Sequence, residues 1–179
     1  STEASTSDAA ASTESGSSSA SGSSTFKIGV IGPLTGSNAA YGQAVANAAQ
    51  IAVDEINQNG GMNGYQIELK SEDDETDSQK SVNAYNALKD WGMQFLDGST
   101  TSACSIAVSE YTKQDNMFQL TPSGSAADCT KYDNVFRVCF SDPAQGTAAA
   151  KYISEHKLAT KVGIIYDSSD VYSSGIYQN

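Results

Sequence analysis

Residues 26–32 form a short apolar run, Phe26-Lys27-Ile28-Gly29-Val30-Ile31-Gly32, which is closed by Pro33 and Gly36. A run of this length, bounded by such residues, is typical of a buried strand. The next segment has apolar residues at helical spacing, and Asn59-Gly60-Gly61 ends it. The apolar positions of this predicted helix are Val45, Ala48, Ala49, Ala52, Val53 and Ile56.

The same alternation of strand and helix continues to the end of the chain. Further strands are predicted at 65–70, 94–96, 117–120, 135–139 and 162–166. Helices are predicted from Asp77 or Ser78 to Gly92, after a cap at Ser102, and from Asp142-Pro143 to about Lys157. This series implies a mainly parallel sheet with helices on both faces. Ligands of such sheets meet the loops at the carboxyl ends of the strands. Here those loops are 32–41, 72–77, 98–102, 121–125 and 167–172.

Residues 1–25 have a different composition from the rest of the chain. They contain fifteen Ser or Thr, five Ala, two Gly and three acids, and no large apolar side chain. Such a segment cannot bury enough surface to offset the entropy of ordering it. It is predicted to be a disordered linker, and its position before the apolar pattern favours a tether.

Charge and cysteine content exclude several functions. The net charge is −11 and the pI is about 4.3, which argues against nucleic acid and anionic membranes as partners. No apolar run is long enough to cross a bilayer. The three cysteines form no CxxC pair and only one histidine accompanies them, so a structural zinc site is excluded. One disulfide with one free thiol, or three buried thiols, both remain open.

The sequence predicts no enzyme, no cofactor and no metal. Gly29, Gly32 and Gly36 do not have the GxGxxG spacing of a nucleotide site. The acidic run 72–75 lacks the alternating ligands of a calcium loop and is interpreted as a solvated strand end. The single histidine, His156, follows Glu155 on a polar helix end, so no nucleophile and base pair is indicated.

Two hydroxyl-rich loops are suited to a zwitterion instead. Residues 98–102, Gly-Ser-Thr-Thr-Ser, precede a predicted helix whose terminal amides favour an anion such as a carboxylate. Ser102 is placed both to cap that helix and to contact the anion. Residues 121–125, Thr-Pro-Ser-Gly-Ser, offer carbonyls and hydroxyls to an ammonium group. Each loop taken alone is equally well explained as plain capping.

The order of these motifs resembles a known family. Four segments are similar to the opening of the branched-chain amino acid binding proteins, the type I periplasmic binding proteins of ABC importers. These segments are Gly32-Pro33-Leu34-Thr35-Gly36, Tyr41-Gly42, Ala52–Asn57 and Gly60–Gly64. The similarity extends in order over residues 26–179. It implies an α/β, Rossmann-like parallel sheet lobe in residues 26–140 and the start of a second similar lobe in residues 141–179, cut short at Asn179.

The resemblance also implies ligand-binding residues. In the family, the loops that match Ser102 and the segment 123–125 hold the carboxylate and the ammonium of the ligand, and two aromatic residues line the cleft. The implied set is Tyr41, Ser102, Ser123, Gly124, Ser125 and Tyr172. The loop before Tyr172 is one residue longer than usual, and Ser173 stands where a glycine is usual. The acid that the family aims at the ammonium is expected beyond Asn179.

The implied protein captures a branched-chain or similar aliphatic amino acid and delivers it to the membrane permease of an ABC importer. Amides, urea-like solutes and small aromatic acids remain open as ligands, and a ligand-sensing receptor domain of the same fold is the alternative function. We expect a monomer that touches no nucleic acid. We expect it to meet the membrane only through a lipid anchor on the extracellular face of a Gram-positive-like cell, or to lie in the periplasm.

The cysteines carry one further prediction. Cys104 follows the loop 98–102 and Cys129 follows the neighbouring loop 121–125, so a Cys104–Cys129 disulfide is favoured. A Cys129–Cys139 bridge is the second choice, and Cys139 is otherwise expected to be a buried free thiol.

Overall fold

A computed structural model describes residues 25–178 of the chain. The linker predicted for residues 1–25 lies outside the described residues, except for Thr25, which begins the first strand. The strands are β1 (Thr25–Gly32), β2 (Gln66–Asp73), β3 (Phe95–Asp97), β4 (Gln119–Thr121) and β5 (Val135–Arg137). The helices are α1 (Ala39–Gln58), α2 (Ser78–Trp91), α3 (Ser102–Asp115), α4 (Asp142–Glu155) and α5 (Val171–Tyr177), with a 3₁₀ turn at Ala127–Thr130.

The five strands form one sheet in the order β2-β1-β3-β4-β5, and every neighbouring pair is parallel. Strand β1 pairs with both β2 and β3: Ile28 lies opposite Leu69 on one side and Phe95 on the other. Strands β2 and β3 lie on opposite sides of β1, so the order of strands in the sheet changes direction after β2. The loops after β1 and β3 therefore lie side by side at the carboxyl edge. The predicted α/β fold with a parallel sheet is confirmed.

The core lies between the sheet and helices α2 and α3. Ile31, Leu96 and Val108 are fully buried there with Tyr85 and Leu88 of α2. A Cβ at Gly29 would lie 2.7 Å from the Met93 sulfur and 2.8 Å from Leu88 Cδ1, so a larger residue here would require the ends of those two side chains to move. Glycine at position 29 therefore favours the close packing of α2 on β1.

Helix α2 begins and ends where the sequence predicts. The Asp77 carboxylate accepts a hydrogen bond from the backbone N–H of Lys80 at 2.8 Å, which satisfies one of the free amides of the first turn. At the other end Gly92 adopts a left-handed conformation with φ 89°, which glycine reaches without steric cost. Both ends are set by local chemistry.

The opposite side of the sheet is only partly covered. Helix α1 packs on β1 and β2. Farther across the sheet, the rings of Phe95, Phe118 and Phe136 stack with centroid separations of 5.0 and 5.1 Å. Phe118 is 41% exposed and Phe136 is 49% exposed, so this phenylalanine stack presents apolar surface to water.

The strand predicted at residues 162–166 is wrong for this structure. These residues are apolar but unpaired, and Ile165 is fully exposed. A strand is stable only beside a partner. The five strands among residues 25–178 all belong to the one sheet described above, and residues 162–166 do not pair with it. Among these same residues no helix is long and apolar enough to cross a membrane.

Candidate functional site

A cleft of about 550 Å³ opens at the carboxyl edge of the sheet. Loops that follow β1, β2, β3 and β4 form one wall, and the segment after β5 with the start of α5 forms the other. The structure brings five of the six predicted ligand-binding residues to this cleft: Tyr41, Ser102, Ser123, Ser125 and Tyr172. Their contact with a ligand stays a prediction.

Several cleft residues were not singled out from the sequence. Asn38, Thr76, Thr100 and Thr101 lie in loops that were predicted to reach the ligand edge, so the loop pattern already contained their signal. Cys139 and Phe140 come from the crossing between β5 and α4, and Asp170 comes from the turn before α5. Asp170 lies in the loop 167–172, which was also predicted to reach the ligand edge. Nothing in the local sequence marks Cys139 and Phe140, because only the folded chain brings their segment to the cleft.

Ser102 does not cap α3, contrary to the sequence prediction. The N-cap residue is Thr101, in an extended conformation and with no side-chain cap, and Ser102 is the first helical residue. The Ser102 hydroxyl faces the loop after β4 and accepts hydrogen bonds from the backbone N–H groups of Ser125 at 3.1 Å and Ala126 at 3.2 Å. Both lone pairs are therefore occupied, so the only group that Ser102 has left to offer a partner is its hydroxyl proton.

The start of α3 thus presents unpaired donors to the cleft. The first N–H groups of a helix have no acceptor within the helix, and no side chain caps them here. The Thr101 hydroxyl is buried without a hydrogen-bond partner. The free amides and the dipole of this 14-residue helix favour an anion such as a carboxylate at this end of the cleft.

Gly124 is the one predicted site residue that does not line the cleft. Its backbone N–H donates to the Thr121 hydroxyl at 3.0 Å. A Cβ at this position would lie 2.6 Å from that hydroxyl oxygen and 3.1 Å from the Cys129 sulfur. Gly124 therefore allows the loop to pack against β4 and the 3₁₀ turn, and its effect on the cleft is indirect.

The backbone of the same loop is already hydrogen-bonded. The carbonyl oxygen of Ser125 accepts from the Arg137 guanidinium at 3.0 Å and from the Asp142 N–H at 3.0 Å. A ligand ammonium can therefore find acceptors in this loop at the hydroxyls of Ser123 and Ser125 rather than at that carbonyl.

Two adjacent carboxylates at the end of β2 hold the loops of the cleft wall. Asp74 is completely buried and accepts hydrogen bonds from the Ser81 hydroxyl at 2.9 Å, from the Thr76 N–H at 2.9 Å and from the Ser99 hydroxyl. It therefore joins α2 to the loop before α3. The interpretation of residues 72–75 as a solvated strand end is wrong for Asp74, because tertiary contacts remove it from water.

Asp73 holds the loop after β1. Its carboxylate accepts from the Leu34 N–H at 2.8 Å, the Thr35 hydroxyl at 2.5 Å and the Glu75 N–H at 2.9 Å. Burial alone would raise the pKa of the Asp73 carboxyl. The hydrogen bonds from Thr35, Glu75 and Leu34 together outweigh burial, so the pKa lies below its usual value. The described residues contain no group of three or more His, Cys, Asp or Glu that could hold a metal ion.

A smaller apolar recess of about 280 Å³ adjoins the cleft. It shares Tyr41, Thr100 and Ser123 with the cleft, and Ala40, Ala44 and Val45 of α1 supply the rest of its lining. The small alanine side chains leave this space open. The cleft therefore has hydroxyls and amides on one side and an aliphatic surface beside them.

The predicted Cys104–Cys129 disulfide is not formed. Cys104, Cys129 and Cys139 are all free thiols. The Cys104 thiol lies beside Ser81 of α2, whereas the Cys129 thiol lies beside Ser102 and Ser105 of α3, so the two sulfurs are turned toward different neighbours. Burial raises the pKa of each of these thiols. The Cys129–Cys139 alternative is likewise not formed.

Asp142 lies just after the crossing from β5 to α4. Its carboxylate is fully buried and neither oxygen has a hydrogen-bond partner. Burial raises the pKa of Asp142, although the neighbouring Ser125 hydroxyl and then the Arg137 guanidinium act in the opposite direction. His156, by contrast, is exposed at the end of α4 and is not among the residues of the cleft.

The α/β lobe has a hydroxyl-lined cleft at the carboxyl edge of its parallel sheet, and a helix without a side-chain cap begins at that cleft. This arrangement is suited to a small polar solute. A family profile described as "Periplasmic binding protein" matches residues 25–177. The chain belongs to this family.

Relatives and solved structures agree with this assignment. The chain is 39% identical over 151 residues to the Leu/Ile/Val-binding protein BraC3 of Rhizobium johnstonii, a match that covers 83% of this chain and 41% of the relative. It is 34% identical to Leu/Ile/Val-binding protein homolog 3 of Brucella melitensis, with the same coverage. The branched-chain amino acid transporter substrate binding protein LivJ of Streptococcus pneumoniae, solved with isoleucine, superimposes with a TM-score of 0.81 at 33% identity, over 86% of this chain and 45% of that one.

A leucine binding protein LivK of Thermotoga maritima superimposes with a TM-score of 0.78 at 29% identity, over 86% of this chain and 43% of that one. The chain thus spans about two-fifths of the length of the curated relatives it matches.

Proposed function

We propose that the chain is the ligand-binding lobe of the substrate-binding component of an ABC importer, and that its ligand is a branched-chain or similar aliphatic amino acid. The observation that carries this proposal is the start of α3: a helix without a side-chain cap begins at the cleft, and Ser102, its first residue, lines that cleft. The names of the relatives and the isoleucine bound to LivJ support an amino acid as the ligand.

Each part of the ligand has a complementary surface. The carboxylate lies at the α3 start, where Ser102 and the first-turn amides donate to it. The ammonium lies nearer the hydroxyls of Ser123 and Ser125. Tyr41 and Tyr172 enclose the ligand from the two walls, and the recess beside Ala40 and Ala44 takes the aliphatic side chain.

The remaining parts of the proposal concern the cell. The protein captures its ligand outside the cytoplasmic membrane and passes it to an ABC permease, as a monomer and without catalysis. Residues 1–25 serve as a tether between this lobe and a lipid anchor on the extracellular face of the membrane. The composition of this segment supports the tether, because fifteen of its 25 residues are Ser or Thr.

Isothermal titration calorimetry of the full-length protein tests the ligand class. Isoleucine, leucine, acetamide, urea and 4-hydroxybenzoate are titrated separately, with D-isoleucine as the matched control for stereochemistry. We expect saturable binding of the L-amino acids alone. Binding of acetamide, urea or 4-hydroxybenzoate without binding of isoleucine or leucine would contradict the proposed ligand.

A further inference from the structure

Asp142 is buried where the two walls of the cleft meet. Its backbone N–H donates to the carbonyl oxygen of Ser125, in the loop after β4, at 3.0 Å. Helix α5 also covers it: a Cβ added at Gly175 would lie 3.0 Å from the Asp142 Cβ and 3.1 Å from Oδ2. The loop after β4 belongs to the first wall, and α5 begins in the second wall beside Tyr172. The burial of Asp142 therefore depends on both walls being in place.

The carboxyl group of Asp142 does not hold this junction together. The residue is completely buried, and neither oxygen accepts a hydrogen bond from the residues that the structure describes. Asp74 is equally buried, but its carboxylate accepts three hydrogen bonds. A buried carboxylate without hydrogen bonds is strongly disfavoured in its charged form. Asp142 is therefore best accommodated in this arrangement as a neutral acid.

The nearest positive charge is already engaged elsewhere. The Arg137 guanidinium, from β5, donates to the carbonyl oxygens of Ser125 at 3.0 Å and Ala126 at 3.1 Å. It lowers the pKa of Asp142, as the neighbouring Ser125 hydroxyl does, but burial is the largest influence and raises that pKa. A full ion pair with Asp142 would require Arg137 to turn away from the loop after β4.

The remaining titratable neighbours do not favour an ionised Asp142. Asp170, from the turn before α5, has the same charge and raises the pKa of Asp142 further. The thiols of Cys129 and Cys139 also lie within electrostatic reach of Asp142, and burial raises the pKa of both, so they stay neutral. Asp142 therefore keeps its proton at pH values at which an exposed aspartate has lost it.

We propose that Asp142 is a positioning residue that makes ligand binding dependent on pH: its neutral form lets the two walls meet around the ligand, and its ionised form opposes that contact. The inference rests on the proposed function, in which the ligand contacts both walls. An ionised Asp142 needs either water or Arg137 as a partner. Water can reach it only if the walls separate, and Arg137 can pair with it only by releasing the loop that carries Ser125, which lines the cleft.

This linkage has a definite sign. A ligand that contacts both walls stabilises the arrangement in which Asp142 is buried and its pKa is raised. Binding therefore takes up a proton at pH values between the usual pKa of an aspartate and the raised pKa of Asp142. Ligand affinity falls as the pH rises through this interval and becomes constant above it.

The test follows isoleucine affinity by calorimetry from about pH 4.5 to about pH 7.5, a range in which isoleucine itself remains a zwitterion. Full-length wild-type protein is compared with Asp142→Asn, which keeps the shape of the side chain but cannot ionise. Asp97→Asn is the matched control, because burial also raises the pKa of Asp97, to about 6, and Asp97 is not among the residues of the cleft. For the wild type, titrations in two buffers of different ionisation enthalpy give the number of protons taken up.

Wild-type affinity should fall with rising pH by at most about tenfold per pH unit, because a single proton is involved. Up to one proton should be taken up per isoleucine bound where the affinity falls. Asp142→Asn should show no such fall and should bind isoleucine more tightly than the wild type at about pH 7.5. Asp97→Asn should keep the pH profile of the wild type.

Wild-type affinity that does not change with pH, or binding without proton uptake, would overturn the role of Asp142 and leave the proposed function in place. Both measurements use the wild type alone, so they decide the question even if Asp142→Asn does not fold. A wild-type pH profile in Asp142→Asn, or its loss in Asp97→Asn, would overturn that role as well. Wild-type protein that binds no isoleucine at any pH would overturn the proposed function and this inference with it.

Discussion

Replacing Ser102 by alanine should weaken both the folded state and ligand binding, because one hydroxyl serves both. Its oxygen is the acceptor for the N–H groups of Ser125 and Ala126, at 3.1 and 3.2 Å, and the residue is only 5% exposed. Both of those N–H groups belong to buried residues. The hydroxyl proton is the part that remains for the ligand carboxylate.

The two effects have separate magnitudes. A buried donor left without a partner costs about 1–3 kcal/mol, so two such groups beside a cleft that admits water should lower the free energy of unfolding by about 2–4 kcal/mol. A hydrogen bond to a charged ligand group is worth about 1.5–3 kcal/mol, so isoleucine should bind about tenfold to a hundredfold more weakly.

Urea denaturation gives the first quantity and calorimetry the second, both in the full-length protein. Ser123→Ala is the matched control: Ser123 is exposed in the cleft wall and its hydroxyl makes no hydrogen bond to a described residue. This variant should lose affinity while its unfolding midpoint stays that of the wild type. The slope of the urea transition should not change in either variant.

An unchanged unfolding midpoint in Ser102→Ala would refute the reasoning that Ser102 holds the loop after β4. An unchanged isoleucine affinity would refute its contact with the carboxylate. A loss of stability with normal affinity would leave Ser102 as a structural residue only.

Two further predictions concern the framework of the lobe. Burial raises the pKa of the Asp97 carboxyl from 3.8 to about 6. The folded state therefore binds this proton more tightly than the unfolded chain does. As a result, the free energy of unfolding falls as the pH rises from about 4 to 6. Asp97→Asn should therefore raise the free energy of unfolding by about 1–3 kcal/mol at pH 7.5 and hardly at all near pH 4, as measured by urea denaturation. An equal gain at both pH values would contradict the burial argument. Gly42→Ala would place a Cβ 2.1 Å from the Pro33 carbonyl oxygen, so it should lower the unfolding midpoint, whereas Gly163→Ala, which meets no atom within 4 Å, should leave it unchanged. Equal midpoints for the two glycine variants would show that the loop after β1 yields to the added methyl group.

The sequence was a good guide wherever local chemistry sets the structure. The ends of α2 could be predicted from Asp77 and Gly92, because a cap and a left-handed glycine act within a few residues. The order of strands and helices followed from the spacing of apolar residues. Tyr41, Ser102, Ser123 and Ser125 reached the cleft because they follow parallel strands whose carboxyl ends share one edge. Tyr172 follows no strand in this structure and lines the cleft from the start of α5.

Long-range contacts account for what the sequence did not show. Ser102 was predicted to cap its own helix, but its actual partners lie 23 and 24 residues away. Asp74 was predicted to be one of four solvated acids, but Ser81 and Ser99, which belong to two other segments, donate hydrogen bonds to its buried carboxylate. Residues 162–166 have the composition of a strand, yet a strand also needs a neighbour, which apolar spacing alone does not supply.

The carboxylates at the end of β2 have a practical consequence for protein engineering. Asp73 and Asp74 fix the loops after β1 and β3 through backbone amides and through the hydroxyls of Thr35, Ser81 and Ser99, none of which lines the cleft. The hydroxyls that fix these two loops therefore belong to other residues than Tyr41, Ser123 and Tyr172, which line the cleft. Under the proposed function, libraries that vary Tyr41, Ser123 and Tyr172 should alter solute recognition while these loop anchors stay in place, which is what the design of a biosensor requires.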